Sequence, residues 1–121
     1  MVRVGVDMIE IARITRGIDR HGERFFKRFF TPEERAYCAE RASCLAARLA
    51  AKEAVAKALG TGIGDVKWVE IEIEADDRRR PLVVLHGQAA ALAESLGLVT
   101  WELSLSHTRE QAIAFVVAMD R

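Results

Sequence analysis

Arg48-Leu-Ala-Ala-Lys-Glu-Ala-Val-Ala-Lys-Ala-Leu-Gly60 is a helical stretch in which charged side chains interrupt small and aliphatic residues. Over residues 45–59 most positions are Ala, Leu or Val, which is typical of a helix that is buried on most of its sides. Four charged residues stand among them: Arg48, Lys52, Glu53 and Lys57. Because charges in such surroundings are usually paired or bound to something, this helix is expected to carry binding chemistry.

A second segment, Val4-Gly-Val-Asp7, alternates in the manner of a strand and ends on an acid. Asp7 shares a strand face with Gly5, where the missing side chain allows a ligand or another backbone to approach closely. If the strand end meets the helix, Asp7 and Glu53 converge with the nearby lysine Lys57. Two carboxylates beside a cation suit a hard metal ion and a phosphate-bearing ligand.

The residues alone leave other interpretations open. Asp7-Met-Ile-Glu10 is an acidic version of a capping box, and spacing by itself favours Asp7 as a helix cap. Glu53 and Lys57 lie four apart, in the favourable order for a surface ion pair, although the alanines around them argue against an exposed helix face. Arg48 projects about 140° away from Glu53, at about 100° per residue, so it serves a different site.

Composition limits the broad class of protein. The chain has 121 residues, which predicts a single domain spanning residues 1–121. With 18 basic and 18 acidic residues, nothing global indicates a nucleic-acid or membrane partner. Arg3, Asp7 and Glu10 interrupt the first apolar residues, which argues against a signal peptide or membrane span. Cys38 and Cys44 lack metal-ligand spacing and are predicted to be free thiols in a reducing, cytoplasmic compartment.

The order of elements predicts an α+β domain with a mainly antiparallel sheet. After the first strand and a helix, Thr31-Pro-Glu-Glu34 is a strong start for a helix that runs to about residue 41. A longer helix covers residues 44–59, and Gly60-Thr-Gly-Ile-Gly64 ends it. Strands are predicted over 68–74, 82–86, 101–107 and 112–118, with a helix over 88–96.

Two further groups have both an ordinary and a functional interpretation. Arg13, Arg16 and Arg20 recur at helical spacing, which is typical of a solvated face but also forms a local positive patch for an acidic protein partner. His107 stands where a strand meets its turn. A histidine there is commonly structural, and it could equally reach a phosphate or take a proton near neutral pH.

Taken together, these segments resemble the holo-acyl-carrier-protein synthases, the short bacterial 4′-phosphopantetheinyl transferases. The resemblance covers essentially the whole chain, and it is most specific in the first-strand acid paired with the Lys-Glu-Ala-x-x-Lys-Ala helix. The chain departs from the family pattern at Leu49, where an aromatic residue is usual, and at Arg79-Arg80-Pro81, where a Gly-x-Pro turn is usual. Four stretches carry the resemblance: Val4-Gly-Val-Asp-Met-Ile-Glu-Ile-Ala-Arg-Ile14, Phe30-Thr-Pro-Glu-Glu34, Ala47-Arg-Leu-Ala-Ala-Lys-Glu-Ala-Val-Ala-Lys-Ala-Leu-Gly-Thr-Gly-Ile-Gly64 and Leu103-Ser-Leu-Ser-His-Thr108.

The resemblance implies a reaction and a set of roles. Phosphopantetheine would move from coenzyme A to a serine of apo-acyl carrier protein, in support of fatty acid biosynthesis, with release of adenosine 3′,5′-bisphosphate. Asp7 and Glu53 would hold Mg²⁺, and Lys57 would lie near the pyrophosphate. The remaining coenzyme A contacts would be Arg48 and His107 near the 3′-phosphate, and Gly60.

The resemblance also implies an assembly and a docking surface. The 4′-phosphopantetheinyl transferase-like fold would assemble as a homotrimer, and an acidic helix of the carrier would dock on Arg13, Arg16 and Arg20. The general base stays open between a metal-bound water, Glu53 and His107, and Lys52 has no assigned role. Two other classes remain to be weighed, a non-catalytic coenzyme-A-binding subunit and a metal-free interaction domain.

Overall fold

The computed structural model describes residues 1–61 and 65–121, so predictions that fall on residues 62–64 lie outside the described part. A short 3₁₀ turn, Trp68–Glu70, precedes the second strand, where an uninterrupted strand is predicted from residue 68. The helices and strands in chain order are β1 (Val2–Glu10), α1 (Ile11–His21), α2 (Glu23–Phe29), α3 (Pro32–Cys38), α4 (Ala42–Leu59), β2 (Ile71–Ala75), β3 (Pro81–Leu85), α5 (Gly87–Ser95), β4 (Thr100–His107) and β5 (Gln111–Met119).

The strands pair antiparallel throughout the described residues, which confirms the predicted α+β class. β5 lies in the centre of a three-stranded sheet in the order β1-β5-β4, and β2 and β3 form a separate hairpin. In the register of β1 with β5, Asp7 lies opposite Ala114. A helix that could cross a membrane does not occur in the described residues.

Helix α4 lies against the sheet and is buried around most of its circumference, as its composition predicts. β5 presents small and β-branched side chains to it: Ala112, Ala114, Val116 and Ala118, all fully buried. The closest approach is at Gly5 of β1, where a Cβ atom would lie 1.9 Å from the carbonyl oxygen of Ala54. The absence of a side chain at Gly5 therefore admits the backbone of α4, which was one of the two predicted reasons for a glycine there.

β1 is longer than the sequence predicts, and the interpretation of Asp7 as a helix cap is wrong. Pairing with β5 continues to Glu10, opposite Gln111, so α1 begins only at Ile11. Glu10 occupies the N-cap position, and in the described structure its side chain makes no capping hydrogen bond. The pairing partner that extends β1 lies a hundred residues away in the chain, which a local capping pattern cannot reveal.

A buried network of charges connects α3, α4 and the β2–β3 hairpin. The predicted helix start is present as a full capping box, in which Thr31 and Glu34 each bind the other's backbone N–H. The Nζ of Lys52 is fully buried and lies 2.7 Å from Glu34 Oε1. It also donates to the carbonyl oxygens of Trp68 and Ile71, at 3.1 and 2.8 Å. Lys52 thus has a structural role, since its three donors are all satisfied.

The same network reaches His86, at the N-cap of α5. His86 Nε2 lies 2.9 Å from Glu72 Oε1, and Glu72 Oε2 accepts from the Thr31 hydroxyl at 2.7 Å. The N-cap of α3 is therefore fastened to β2 through a buried carboxylate.

The prediction that Cys38 and Cys44 are free thiols is wrong. The structure joins them in a disulfide that links the end of α3 to the first turn of α4. Ala39 and Glu40, both in the left-handed region at φ 50° and 63°, turn the chain back between the two helices. This turn brings the Cα atoms within 5.3 Å, inside the range that a disulfide spans. A separation of six residues in sequence does not show that approach.

We expect Gly5→Ala to destabilise the protein by about 3 kcal/mol, because the added methyl meets backbone that cannot move aside as a side chain can. Chemical denaturation measures the change, with Ser104→Ala on the exposed face of β4 as a control that should shift stability by less than about 0.5 kcal/mol. Equal stability of Gly5→Ala and the wild type would contradict the close packing of β1 on α4.

Candidate active site

The contact between β1 and α4 brings Asp7, Glu53 and Lys57 together. Asp7 lies two residues beyond Gly5 on the strand face that meets α4. Glu53 directly precedes Ala54, the residue whose carbonyl group packs against Gly5. Lys57 Nζ lies 3.1 Å from Asp7 Oδ1 and donates to the Val6 carbonyl oxygen at 2.9 Å. The Asp7 side chain is 18% exposed and that of Lys57 57% exposed, so the cation lies on the solvent side.

The surroundings of Glu53, Asp7 among them, strongly affect its ionisation. The pKa of Glu53 is raised to about 7, chiefly by burial and then by hydrogen bonding to and charge repulsion from Asp7. Arg13 and Lys57 act in the opposite direction through their charges. Glu53 therefore takes up a proton much closer to neutral pH than an ordinary glutamate does. The effect of Arg13 also shows that the start of α1 lies beside this pair.

The carboxylate pair fits a hard divalent cation. Asp7 Oδ2 is buried and has no hydrogen-bond partner among the described residues, which is costly for a carboxylate oxygen. The part of the chain described here contains no group of three or more His, Cys, Asp and Glu side chains that could hold a metal. Mg²⁺ does not need one, because it is commonly bound by one or two carboxylates with substrate phosphates and waters.

A second site lies on another side of α4, between the α3–α4 connection, the β2–β3 turn and the end of β4. It is a cavity of about 210 Å³ that we call the arginine cavity. Its lining residues are Tyr37, Arg41, Ser43, Cys44, Ala47, Arg48, Arg79, Leu105, Ser106 and His107. The structure thus brings together Arg48 and His107, which the family resemblance places at one end of the coenzyme.

Arg48 is a buried cation in this cavity. Only 6% of the residue is exposed, and its guanidinium stacks 4.5 Å from the centroid of the Tyr37 ring. Burial lowers the pKa of Arg48, while the neighbouring Tyr37 and the charge of Glu34 oppose that effect. Its Nε is buried without a hydrogen-bond partner in the described structure. The sequence identified Arg48 but missed Arg41 and Arg79, and the unusual turn at Arg79 was the available signal for the latter.

Gly60 ends α4 as predicted, at φ 76°. Its N–H donates to the Lys57 carbonyl oxygen at 3.0 Å and so already serves the helix end. The Arg3 side chain donates to the carbonyl oxygens of Ala58 and Leu59 beside it. A contact of Gly60 with coenzyme A stays a prediction, as do the other residue roles that the resemblance implies.

The basic face of α1 is exposed, as a docking patch requires. Arg13, Arg16 and Arg20 are all exposed. Arg13 also borders a groove of about 500 Å³ between α1 and α2. The groove is lined by Arg13, Gly17, His21, Arg24, Phe25, Arg28 and Phe29, so basic side chains surround apolar rings and no carboxylate is among these described residues.

The family profile and the relatives that match this chain all belong to the phosphopantetheinyl transferases. The family profile described as the 4′-phosphopantetheinyl transferase superfamily matches residues 3–116. A holo-[acyl-carrier-protein] synthase of Herpetosiphon aurantiacus is 48% identical, over 98% of this chain and 99% of that protein. Another of Moorella thermoacetica is 49% identical, over 94% of this chain and 91% of that protein.

Solved structures are similar over nearly the full length. The Helicobacter pylori holo-[acyl-carrier-protein] synthase in complex with coenzyme A has a TM-score of 0.88 at 32% identity, covering 96% of this chain and 99% of that one. The synthase from Neisseria meningitidis has a TM-score of 0.88 at 35% identity, covering 98% and 99%.

We expect Glu53→Gln to stabilise the metal-free protein, and more at pH 8 than at pH 5. A carboxyl whose pKa is raised on folding contributes stability below its ordinary pKa of 4.5, and this is lost as pH rises through about 7. Glutamine cannot ionise, so the variant avoids this loss. Its gain in free energy of unfolding over the wild type should be larger at pH 8 than at pH 5 by on the order of 2 kcal/mol. Unfolding in the presence of a chelator measures it, with the exposed Glu94→Gln as control. A pH-independent effect would contradict the pairing of Glu53 with Asp7.

Proposed function

This chain belongs to the holo-[acyl-carrier-protein] synthases of the 4′-phosphopantetheinyl transferase superfamily, and we propose that it works as an Mg²⁺-dependent enzyme through Asp7 and Glu53. It transfers the 4′-phosphopantetheine arm of coenzyme A to a serine of apo-acyl carrier protein. The observation that supports the metal is the adjacent carboxylate pair, in which one buried Asp7 oxygen has no partner among the described residues. A role in fatty acid biosynthesis follows from the resemblance and stays a prediction. The cytoplasmic location also stays a prediction, and it no longer has the support of free thiols at Cys38 and Cys44.

The transfer needs a site that stabilises the negative charge on the pyrophosphate oxygens. The carrier's serine oxygen forms a bond to the phosphorus next to pantetheine, the bond to the leaving phosphate breaks, and the serine proton passes to a base. Adenosine 3′,5′-bisphosphate leaves with the displaced oxygen. When bound, the cation would offset the negative charge of the pyrophosphate oxygens. Asp7 and Glu53 would hold it, and the exposed Nζ of Lys57 would stabilise the leaving phosphate.

The arrangement of the two sites supports a shared active site in a homotrimer. Arg48 and Glu53 point to sides of α4 that differ by about 140°, so one extended coenzyme would reach both more easily across two copies of the chain. β1 also leaves an apolar face in water: Val2, Val4, Val6 and Met8 are 59%, 58%, 47% and 57% exposed. A contiguous face of this kind is typical of a subunit interface.

Carrier docking is proposed on the exposed arginines Arg13, Arg16 and Arg20. The charge of Arg13 acts on Glu53, so this patch borders the carboxylate pair. An acidic helix on the patch would therefore deliver its serine beside the proposed metal. Complementary charge of this kind mainly raises association rate and selectivity.

Incubation with coenzyme A, Mg²⁺ and apo-acyl carrier protein should add a phosphopantetheine mass to the carrier. We expect a chelator to abolish this transfer and Mg²⁺ to restore it. Asp7→Asn should lower the rate by about 100-fold or more, since a neutral amide is a poor ligand for a hard cation. Mass spectrometry follows the transfer, with Glu94→Gln as the matched control.

Transfer that survives both the chelator and Asp7→Asn would overturn the metal assignment. Coenzyme A binding without transfer to any carrier, insensitive to Mg²⁺, would favour a non-catalytic binding subunit.

We expect Arg20→Glu to raise the KM for the carrier about 10-fold and to leave the KM for coenzyme A nearly unchanged. Arg20 is exposed on the patch and, unlike Arg13, is not among the charges that act on Glu53. Arg78→Glu makes the same change of charge on the β2–β3 turn and is the control. Steady-state kinetics with each substrate varied in turn measures both constants. An equal rise in both KM values would contradict the separation of docking patch and coenzyme site.

A further inference from the structure

We infer that Arg79 is a specificity-determining residue, which binds the 3′-phosphate of coenzyme A in the arginine cavity and makes this enzyme select coenzyme A over its 3′-dephosphorylated form. The inference rests on the proposed use of this cavity for the coenzyme. Position 79 is a glycine in the usual family pattern, so the proposed role of Arg79 is specific to this chain.

The lining of the arginine cavity suits a phosphomonoester. Arg41, Arg48, Arg79 and His107 line it, together with the hydroxyl-bearing residues Tyr37, Ser43 and Ser106, and none of the described lining residues is acidic. A phosphomonoester carries close to two negative charges and three acceptor oxygens, which arginine forks bind in a bidentate manner. A volume of about 210 Å³ is below the roughly 300–1,000 Å³ of pockets for drug-sized molecules, so the cavity fits one anionic group of a larger ligand.

The buried donor of Arg48 indicates that a ligand completes this cavity. Arg48 is more than nine-tenths buried, and its Nε has no partner within the described chain. The ion pairs formed among the described residues do not include it either. A buried donor of a cation that lacks a hydrogen-bond partner is costly, and a bound dianion would supply that partner.

Arg79 reaches the cavity because the β2–β3 turn is rigidly built. The Asp76 carboxylate accepts from the backbone N–H groups of Arg78 and Arg80, both at 2.8 Å. The Arg79 N–H donates to the Asp76 carbonyl oxygen at 2.9 Å. The Arg80 side chain pairs with Glu102 on β4, which fastens the turn beside the strand that ends at His107.

The backbone of Arg79 adopts a conformation that is unfavourable for arginine. Its φ is 65°, in the left-handed region that a glycine adopts freely and an arginine adopts at a cost. A costly conformation at an exposed turn is commonly retained for what the side chain does. The side chain is exposed, and no ion pair or hydrogen bond of the described residues engages its guanidinium.

The other two arginines are already positioned by the fold. Arg41 Nε donates to the Cys38 carbonyl oxygen at 2.8 Å, and its NH2 group donates to that of Tyr37 at 3.2 Å. Arg48 is held by its stacking on Tyr37. Arg79 is therefore the cation of the cavity that is free to close on a ligand from the solvent side.

The test compares Arg79→Gly with Arg78→Ala. Each removes one arginine from the same turn, but Arg78 is not among the residues that line the cavity. Glycine suits the φ of position 79, so Arg79→Gly is expected to fold normally. Initial transfer rates are measured with coenzyme A and with 3′-dephospho-coenzyme A.

We expect Arg79→Gly to raise the KM for coenzyme A about 10-fold, as the loss of one charge-assisted hydrogen bond implies. The KM for the dephosphorylated substrate should stay unchanged, and Arg78→Ala should alter neither value. Equal effects of the two variants, or an equal loss with both substrates, would overturn the inference.

A binding measurement separates this inference from the proposed function. Calorimetry on the same variants compares adenosine 3′,5′-bisphosphate with adenosine 5′-monophosphate. We expect the wild type to prefer the bisphosphate and Arg79→Gly to lose about 10-fold of that preference. Absence of transfer by the wild type would refute the proposed function, whereas an unchanged preference in Arg79→Gly would refute the role of Arg79.

Discussion

The structure depends on how closely β1 approaches α4. At Gly5 the strand lies directly on the Ala54 carbonyl, at a distance that leaves no room for a Cβ atom. The small residues along β5 allow the same helix to lie flat across the sheet. Because Glu53 directly precedes Ala54 and Asp7 shares the face of Gly5, this packing also determines the distance between the two carboxylates. A contact made for packing thus builds the candidate metal site.

The four charges of α4 are divided among three environments by the elements that surround the helix. Lys52 is fully buried and holds α4 to Glu34 and to the hairpin side of the domain. Breaking such a pair is strongly destabilising, because a buried charge would remain without a partner. Glu53 and Lys57 face β1 with Asp7, and Arg48 faces the arginine cavity. The helix therefore contributes to two candidate ligand sites, while its own position is held by the Lys52 ion pair.

Sequence patterns predicted most of the helices and strands. The Thr31-Pro-Glu-Glu34 start, the end of α4 at Gly60 and the antiparallel strands all depend on local rules, and all three are confirmed. The functional interpretation of Asp7 and Glu53 came from the family resemblance, since spacing by itself favoured a helix cap for Asp7 and a surface ion pair for Glu53 and Lys57. The cap fails because β5 extends β1 to Glu10, and that pairing joins opposite ends of the chain.

The sequence by itself determined the fold class and the burial of α4, because these follow from residue type and period along a continuous segment. It indicated the family through the resemblance of four stretches to a known pattern. Only the tertiary structure decided what each charge meets. The ion pair of Lys52 with Glu34, the disulfide between Cys38 and Cys44, and the place of Arg79 beside Arg48 all join separate elements. Such contacts depend on the packing of whole elements in three dimensions, and no local period along the chain encodes them.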